Sequence, residues 1–190
     1  MQIIREAENY SSNGKPLLLA LGNFDGVHFG HKQLISNMIK KARLISGNAA
    51  AFIFDPHPAT ILTPDKVPRM LVNAAQKAEL MEKLGLDLLV YHSFSNEIAG
   101  WSNEHFVQRI LLDCFNVSEV YVGFNYSFGH RGLGTPELLR EMGLKYGFQT
   151  HILPAVTVGG DIVSSSQIRN YLKYGAIEKA YHMLGYYPAL

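Results

Sequence analysis

Two histidines three residues apart, His28 and His31, close the run Gly22-Asn23-Phe24-Asp25-Gly26-Val27-His28-Phe29-Gly30-His31. The run lies between a short apolar stretch and a long amphipathic one, where a strand would hand over to a helix. At the start of a helix both rings can face one ligand, while free main-chain N–H groups and the helix dipole favour an anion, which suits a polyphosphate. The spacing also allows one ring to be a cap or packing group, or the pair to ligate a metal with help from elsewhere.

A second segment, Val163-Ser164-Ser165-Ser166-Gln167-Ile168-Arg169, brings three hydroxyls into a helix start with an arginine one turn in. That is a second anion site if the guanidinium is free to clamp phosphate oxygens, and ordinary N-capping beside a solvated arginine if it is not. A third, Gly123 to Gly134, mixes glycines with Phe124, Tyr126 and Phe128. Its aromatics suit a flat wall for a planar ring or plain core packing, and it lacks the Lys-Ser or Lys-Thr of a P-loop. A fourth, Asp55-Pro56-His57-Pro58, is a stiff turn able to hold a pocket edge.

The elements around these segments alternate. Leu17 to Leu21, Ala49 to Phe54, Asp87 to Tyr91, Glu119 to Val122 and Phe148 to Leu153 read as five apolar strands. Between them, Leu34, Ile35, Met38, Ile39, Ala42 and Ile45 fall at helical spacing, as do Ala74, Ala78, Met81 and Leu84. Ser102 caps a helix predicted to run to about Phe115, and Thr135-Pro136-Glu137 is a helix start. Continuously apolar strands separated by helices indicate a doubly wound parallel sheet, whose ligands sit at the carboxyl ends of the strands. Val156 to Val163 reads as a hairpin, followed by helices over Ser165 to Lys173 and Ala176 to Leu184. The unassigned stretches Pro56 to Val72 and Gly123 to Gly134 both follow strands, where long loops are more often functional.

The chain has 190 residues, 47% of them apolar and 17% charged, enough for one substantial core. A formal net charge of +1 gives no general attraction to nucleic acid or to an anionic membrane, so an anionic partner must find a local site. The single cysteine, Cys114, fits a reducing compartment, and the sequence carries neither a secretory leader nor a spanning run; a cytoplasmic location is expected.

In this order the four segments resemble one family, the FMN adenylyltransferase module of prokaryotic FAD synthetases. Gly22 to His31 matches its GNFDGVHxGH opening, Phe54 to Pro58 its FDPHP element and Ser164 to Arg169 its SSTxIR element. The resemblance implies an α/β, doubly wound Rossmann-like sheet of the HxGH nucleotidylyltransferase type. It implies transfer of the adenylyl group of ATP to FMN by direct in-line displacement, giving FAD and pyrophosphate. His28, His31 and Arg169 would be catalytic, holding ATP phosphates and the departing pyrophosphate. Gly22, Asn23, Phe24, Asp25, Gly30, Ser164, Ser165 and Ser166 would bind ATP, and Asp55, Pro56, Pro58, Asn125 and Phe128 would border the flavin. Mg²⁺ would arrive with ATP and meet Asn125. Ser166 stands where threonine is common, and Asn125 where aspartate or asparagine occurs. Typical members continue into a riboflavin kinase domain; residues 1–190 read as the adenylyltransferase domain alone. His31→Ala and Arg169→Ala are expected to fold, because both residues sit at loops and helix starts. Two other functions are compatible with the motifs: nucleotidyl transfer to another phosphorylated metabolite, and idle flavin binding in a regulatory protein.

Overall fold

The computed structural model describes residues 1–188. Its centre is a six-stranded, wholly parallel sheet. In chain order the elements are β1 (Gln2–Arg5), β2 (Leu17–Leu21), α1 (Phe29–Leu44), β3 (Asn48–Phe54), α2 (Ala59–Leu62), α3 (Ala74–Lys83), β4 (Leu88–His92) and α4 (Asn96–Ala99). They continue through α5 (Asn103–Phe106), β5 (Glu119–Gly123), α6 (Pro136–Tyr146), β6 (Gln149–Leu153), the β7 (Thr157–Val158) and β8 (Asp161–Ile162) hairpin, α7 (Ser165–Lys173) and α8 (Ile177–Leu184).

The strand order β1-β4-β3-β2-β5-β6 reverses direction between β2 and β5. Both faces are covered, which explains why the four inner strands, β2 to β5, are buried at consecutive positions. Leu17, Leu19 and Leu21 of β2 point to one core with Phe52, Val120, Phe106 and Ile110. Leu18 and Ala20 point to the other with Ala51, Ile35, Met38 and Met81. A third, smaller core joins Val163, Ile168, Ala180, Met183 and Leu184 under α7 and α8.

Two features differ from the sequence reading. The strand count is six, because Gln2–Arg5 adds an edge strand beside β4. Only Ile4 of its four residues is buried, so no hydrophobic period marks it. The helix predicted over Ser102 to Phe115 changes winding after Phe106: Val107–Cys114 is a wider coil, with Phe115 N–H donating to the Ile110 carbonyl five residues back. Among the described residues, no helix is long and apolar enough to cross a membrane.

Candidate active site

A cavity of about 420 Å³ opens over the carboxyl ends of the central strands, at the point where the strand order reverses. Leu21, Gly22, Asn23, Phe24, Asp25, Gly30 and His31 form one side, with Ser165 reaching in from α7. Phe52, Phe54, Phe94, Trp101, Phe106, Tyr126 and Phe128 form an aromatic side. Pro58 and Asn125 line it as well. One end is therefore polar and built from a helix entrance, and the other is flat and apolar.

His28 caps α1: its Nδ1 accepts from the His31 main-chain N–H at 3.3 Å. In the neutral ring this places the proton on Nε2, so His28 offers a donor there. The His28 and His31 rings stack at 3.6 Å and 14°. His31 is on the cavity wall and His28 stands behind it. Burial pushes His28 down to about 4 and His31 well below the usual histidine range, the neighbouring His28 ring and the Lys77 ammonium adding to the effect on His31. The His31 Nδ1 is buried without a hydrogen-bond partner. The capping role therefore falls to His28, and His31 is the ring of the pair that reaches the cavity wall. Phe24 plugs the loop from below, 1% exposed, its ring edge-to-face with that of His31 at a centroid distance of 5.2 Å.

Asp25 is a hub. Its carboxylate, 2% exposed, accepts from the Leu71 N–H at 3.0 Å and the Arg169 guanidinium at 2.6 Å. Its carbonyl accepts from the Ser165 hydroxyl at 2.8 Å, and Arg169 Nε donates to the Arg69 carbonyl at 2.8 Å. The opening loop, the segment around Arg69 to Val72 and the start of α7 are tied together at this one carboxylate. Both groups expected at the phosphate site thus have protein partners of their own. Asp25 lines the cavity while its carboxylate is engaged by protein donors, and Arg169 is paired with that buried acid rather than solvated.

The other predicted residues are distributed as follows. Ser164 caps α7 by accepting from the Gln167 N–H at 3.2 Å, and Ser166 is exposed on the first turn. Gly30 faces the cavity, and a Cβ there would meet the His28 ring at 3.3 Å. Asp55 pairs with Arg5 at 3.4 Å, and neither it nor Pro56 is on the cavity wall. Phe128 serves the core and the cavity together: it is buried against Phe106 and is also a wall residue.

Sequence reading passed over Lys77, whose Nζ donates to the Asn23 carbonyl at 2.7 Å, and the aromatics Phe94 and Trp101. Lys77 carries a signal in the sequence, a charge on the helix face marked by Ala74, Ala78 and Met81. His57, within the Asp55 to Pro58 turn, also has partners at the site. One of its ring nitrogens lies 3.1 Å from the Asn23 amide and the other accepts from the Ala59 N–H at 3.1 Å.

Comparison with known proteins agrees with this geometry. The family described as FAD synthetase matches residues 11–167. A bifunctional riboflavin kinase/FMN adenylyltransferase from Listeria monocytogenes is 36% identical over 89% of this chain and 54% of its own length. One of the same description from Pseudomonas fluorescens is 31% identical over 97% of this chain and 59% of its own. The chain therefore spans somewhat more than half the length of these relatives. A solved structure described as a macrolide-efflux protein from Streptococcus pneumoniae shares the fold, with a TM-score of 0.82 at 24% identity over 96% of this chain and 60% of that one.

Proposed function

The chain belongs to the FAD synthetase family, and we propose that it transfers the adenylyl group of ATP to FMN. The observation that carries the reading is the composition of the single cavity at the strand reversal. Its helix-entrance end, with His31, Gly30 and Ser165, suits phosphates, and its aromatic end suits a flat tricyclic ring.

In this reaction a phosphate oxygen of FMN attacks the α-phosphorus of ATP. The bond from that phosphorus to the bridging oxygen breaks, and its electron pair leaves on pyrophosphate. The protein contributes position and charge stabilisation, with no covalent intermediate on the enzyme. Burial keeps both rings uncharged at neutral pH, so His31, on the wall, would act as a neutral donor to phosphate with His28 stacked behind it. Arg169, held by Asp25, supports the nucleotide end through the loop it fastens.

Mg²⁺ fits this site as a companion of ATP. Asn125 would offer its amide oxygen from the wall, and the Asp25 carboxylate is already occupied by protein donors, so most of the ion's ligands would come from the nucleotide and water. The ion would neutralise phosphate charge. Residues 1–190 form the adenylyl-transfer unit, its partners are ATP and FMN rather than nucleic acid or a membrane, and its proposed location is the cytoplasm.

The test supplies FMN, nicotinamide mononucleotide, phosphopantetheine and glycerol phosphate in turn, each with ATP and with CTP, and separates the products. FAD from FMN and ATP, abolished by chelation and restored by Mg²⁺, is the expected result. A better substrate among the others would move the reading to another nucleotidyl transfer, and flavin binding without turnover to a regulatory protein.

A further inference from the structure

Lys77 is 5% exposed, on the core-facing side of α3, four residues along from the Asn73 cap. Stability alone gives no reason for a lysine there. Burial opposes its charge, the nearby helix N-terminus is the wrong end of the dipole for a cation, and a long side chain loses rotamer freedom. Burial lowers its affinity for a proton, while Asp25 and Asp55 act in the opposite sense. Its hydrogen bond is to the Asn23 carbonyl, at 2.7 Å.

That carbonyl belongs to the peptide joining Asn23 to Phe24, and both residues line the cavity. In a trans peptide the N–H points opposite to the carbonyl, so the Phe24 N–H is directed away from α3. Among the described residues it has no protein acceptor. Phe24 is also in the left-handed region at φ 47°, a conformation a bulky side chain adopts only when its surroundings enforce it. The Asn23 side chain is held separately, 3.1 Å from the His57 ring.

Resting on the adenylyl-transfer reading, we propose that Lys77 is a positioning residue for the reaction: its ammonium pins and polarises the Asn23–Phe24 peptide, so that the Phe24 N–H is presented as a fixed donor to nucleotide phosphate. A cation on the carbonyl strengthens the N–H of the same peptide as a donor. The gain is largest where negative charge grows, in the transition state. Lys77 itself stays behind the loop and off the cavity wall.

The experiment compares Lys77→Met with Met81→Ala, a truncation in the core on the same helix, following FAD formation and thermal unfolding in the full 190-residue chain. Lys77→Met keeps an unbranched side chain, shorter by one heavy atom, and removes the charge. The expected result is kcat lower by about ten- to a hundredfold, FMN KM within about threefold, and a Tm equal to or above wild type. Met81→Ala should show the reverse, a lower Tm with nearly normal kcat at a temperature where it is folded. Normal kcat in Lys77→Met overturns the proposal. So does a Lys77→Met protein that is unfolded, or one whose kcat falls only along with its Tm, since each would make Lys77 a structural residue. If wild type itself makes no FAD, the adenylyl-transfer reading fails as well; if it does and Lys77→Met matches it, only the inference about Lys77 fails.

Discussion

His28 faces two demands at once, capping α1 through Nδ1 and lying flat on His31 in a buried site. Both favour the neutral ring. Its pKa is depressed to about 4 from 6.5, so between these values the unfolded chain binds more protons than the folded one. Stability from this group is complete above about pH 6.5 and is lost as pH falls toward 4, by on the order of 3 kcal/mol at 1.36 kcal/mol per pKa unit. His31, shifted the same way, adds to the loss. His28→Asn keeps a capping acceptor and cannot titrate, so its Tm should fall less steeply with acid than that of wild type. Equal slopes in a pH series of thermal melts would show that burial of His28 is not what opposes its proton. Arg169→Ala should lower both rate and stability, because it strands the buried Asp25 carboxylate. The loss should be below the about 3–5 kcal/mol of a fully buried pair, since the Leu71 and Val72 N–H groups remain. A Tm equal to wild type would restore the expectation of a free, solvated arginine.

The strand-to-helix loop after β2 needs a glycine where α7, α8 and the segment before α3 converge on it. Gly26 has φ 78°, and a Cβ there would come within 2.8 Å of the Leu71 Cδ1 and 3.1 Å of the Leu184 Cδ2. Its carbonyl accepts from the Tyr186 hydroxyl at 2.7 Å. Gly26→Ala should therefore cost about 2–3 kcal/mol in denaturant unfolding and reduce FAD formation. Gly159→Ala, also at positive φ but in open space in the β7–β8 turn, should cost about 1 kcal/mol and leave the rate alone. Equal effects would mean that convergence on the loop is unimportant. The elements differ in how openly the sequence declares them. β2 to β5 are largely apolar runs between helical periods, β6 is apolar only at its Ile152-Leu153 end, and α7 begins at Ser165 as its cap residues suggest. The first strand buries one side chain and leaves no pattern. The wide coil after Phe106 is a matter of hydrogen-bond register, and Phe106, Ile110 and Leu111 share a face in either winding. Asp25 and Arg169 are 144 positions apart, and each looked like a free phosphate-site group until the fold brought one to the other. Lys77 is hidden for a related reason: a periodicity argument counts the apolar residues on a face and passes over the charge among them.

At the scale of the whole molecule, the reversal between β2 and β5 is what makes one cavity out of segments near both ends of the chain. The connections from β2 and β5 leave in opposite directions, opening a crevice at their carboxyl ends. α1 enters it with His31, α7 brings Ser165, and the strand-end loops bring the aromatics. Two ligands can then meet inside one crevice, which a transfer between two nucleotides requires. The most direct test gives the 190-residue chain FMN and ATP labelled at the α-phosphorus or, separately, at the γ-phosphorus. The α label should enter FAD and the γ label should leave entirely in pyrophosphate, with one pyrophosphate formed per FAD. Absence of α label from FAD, or appearance of γ label on the flavin, would contradict adenylyl transfer to FMN as the function of this cavity.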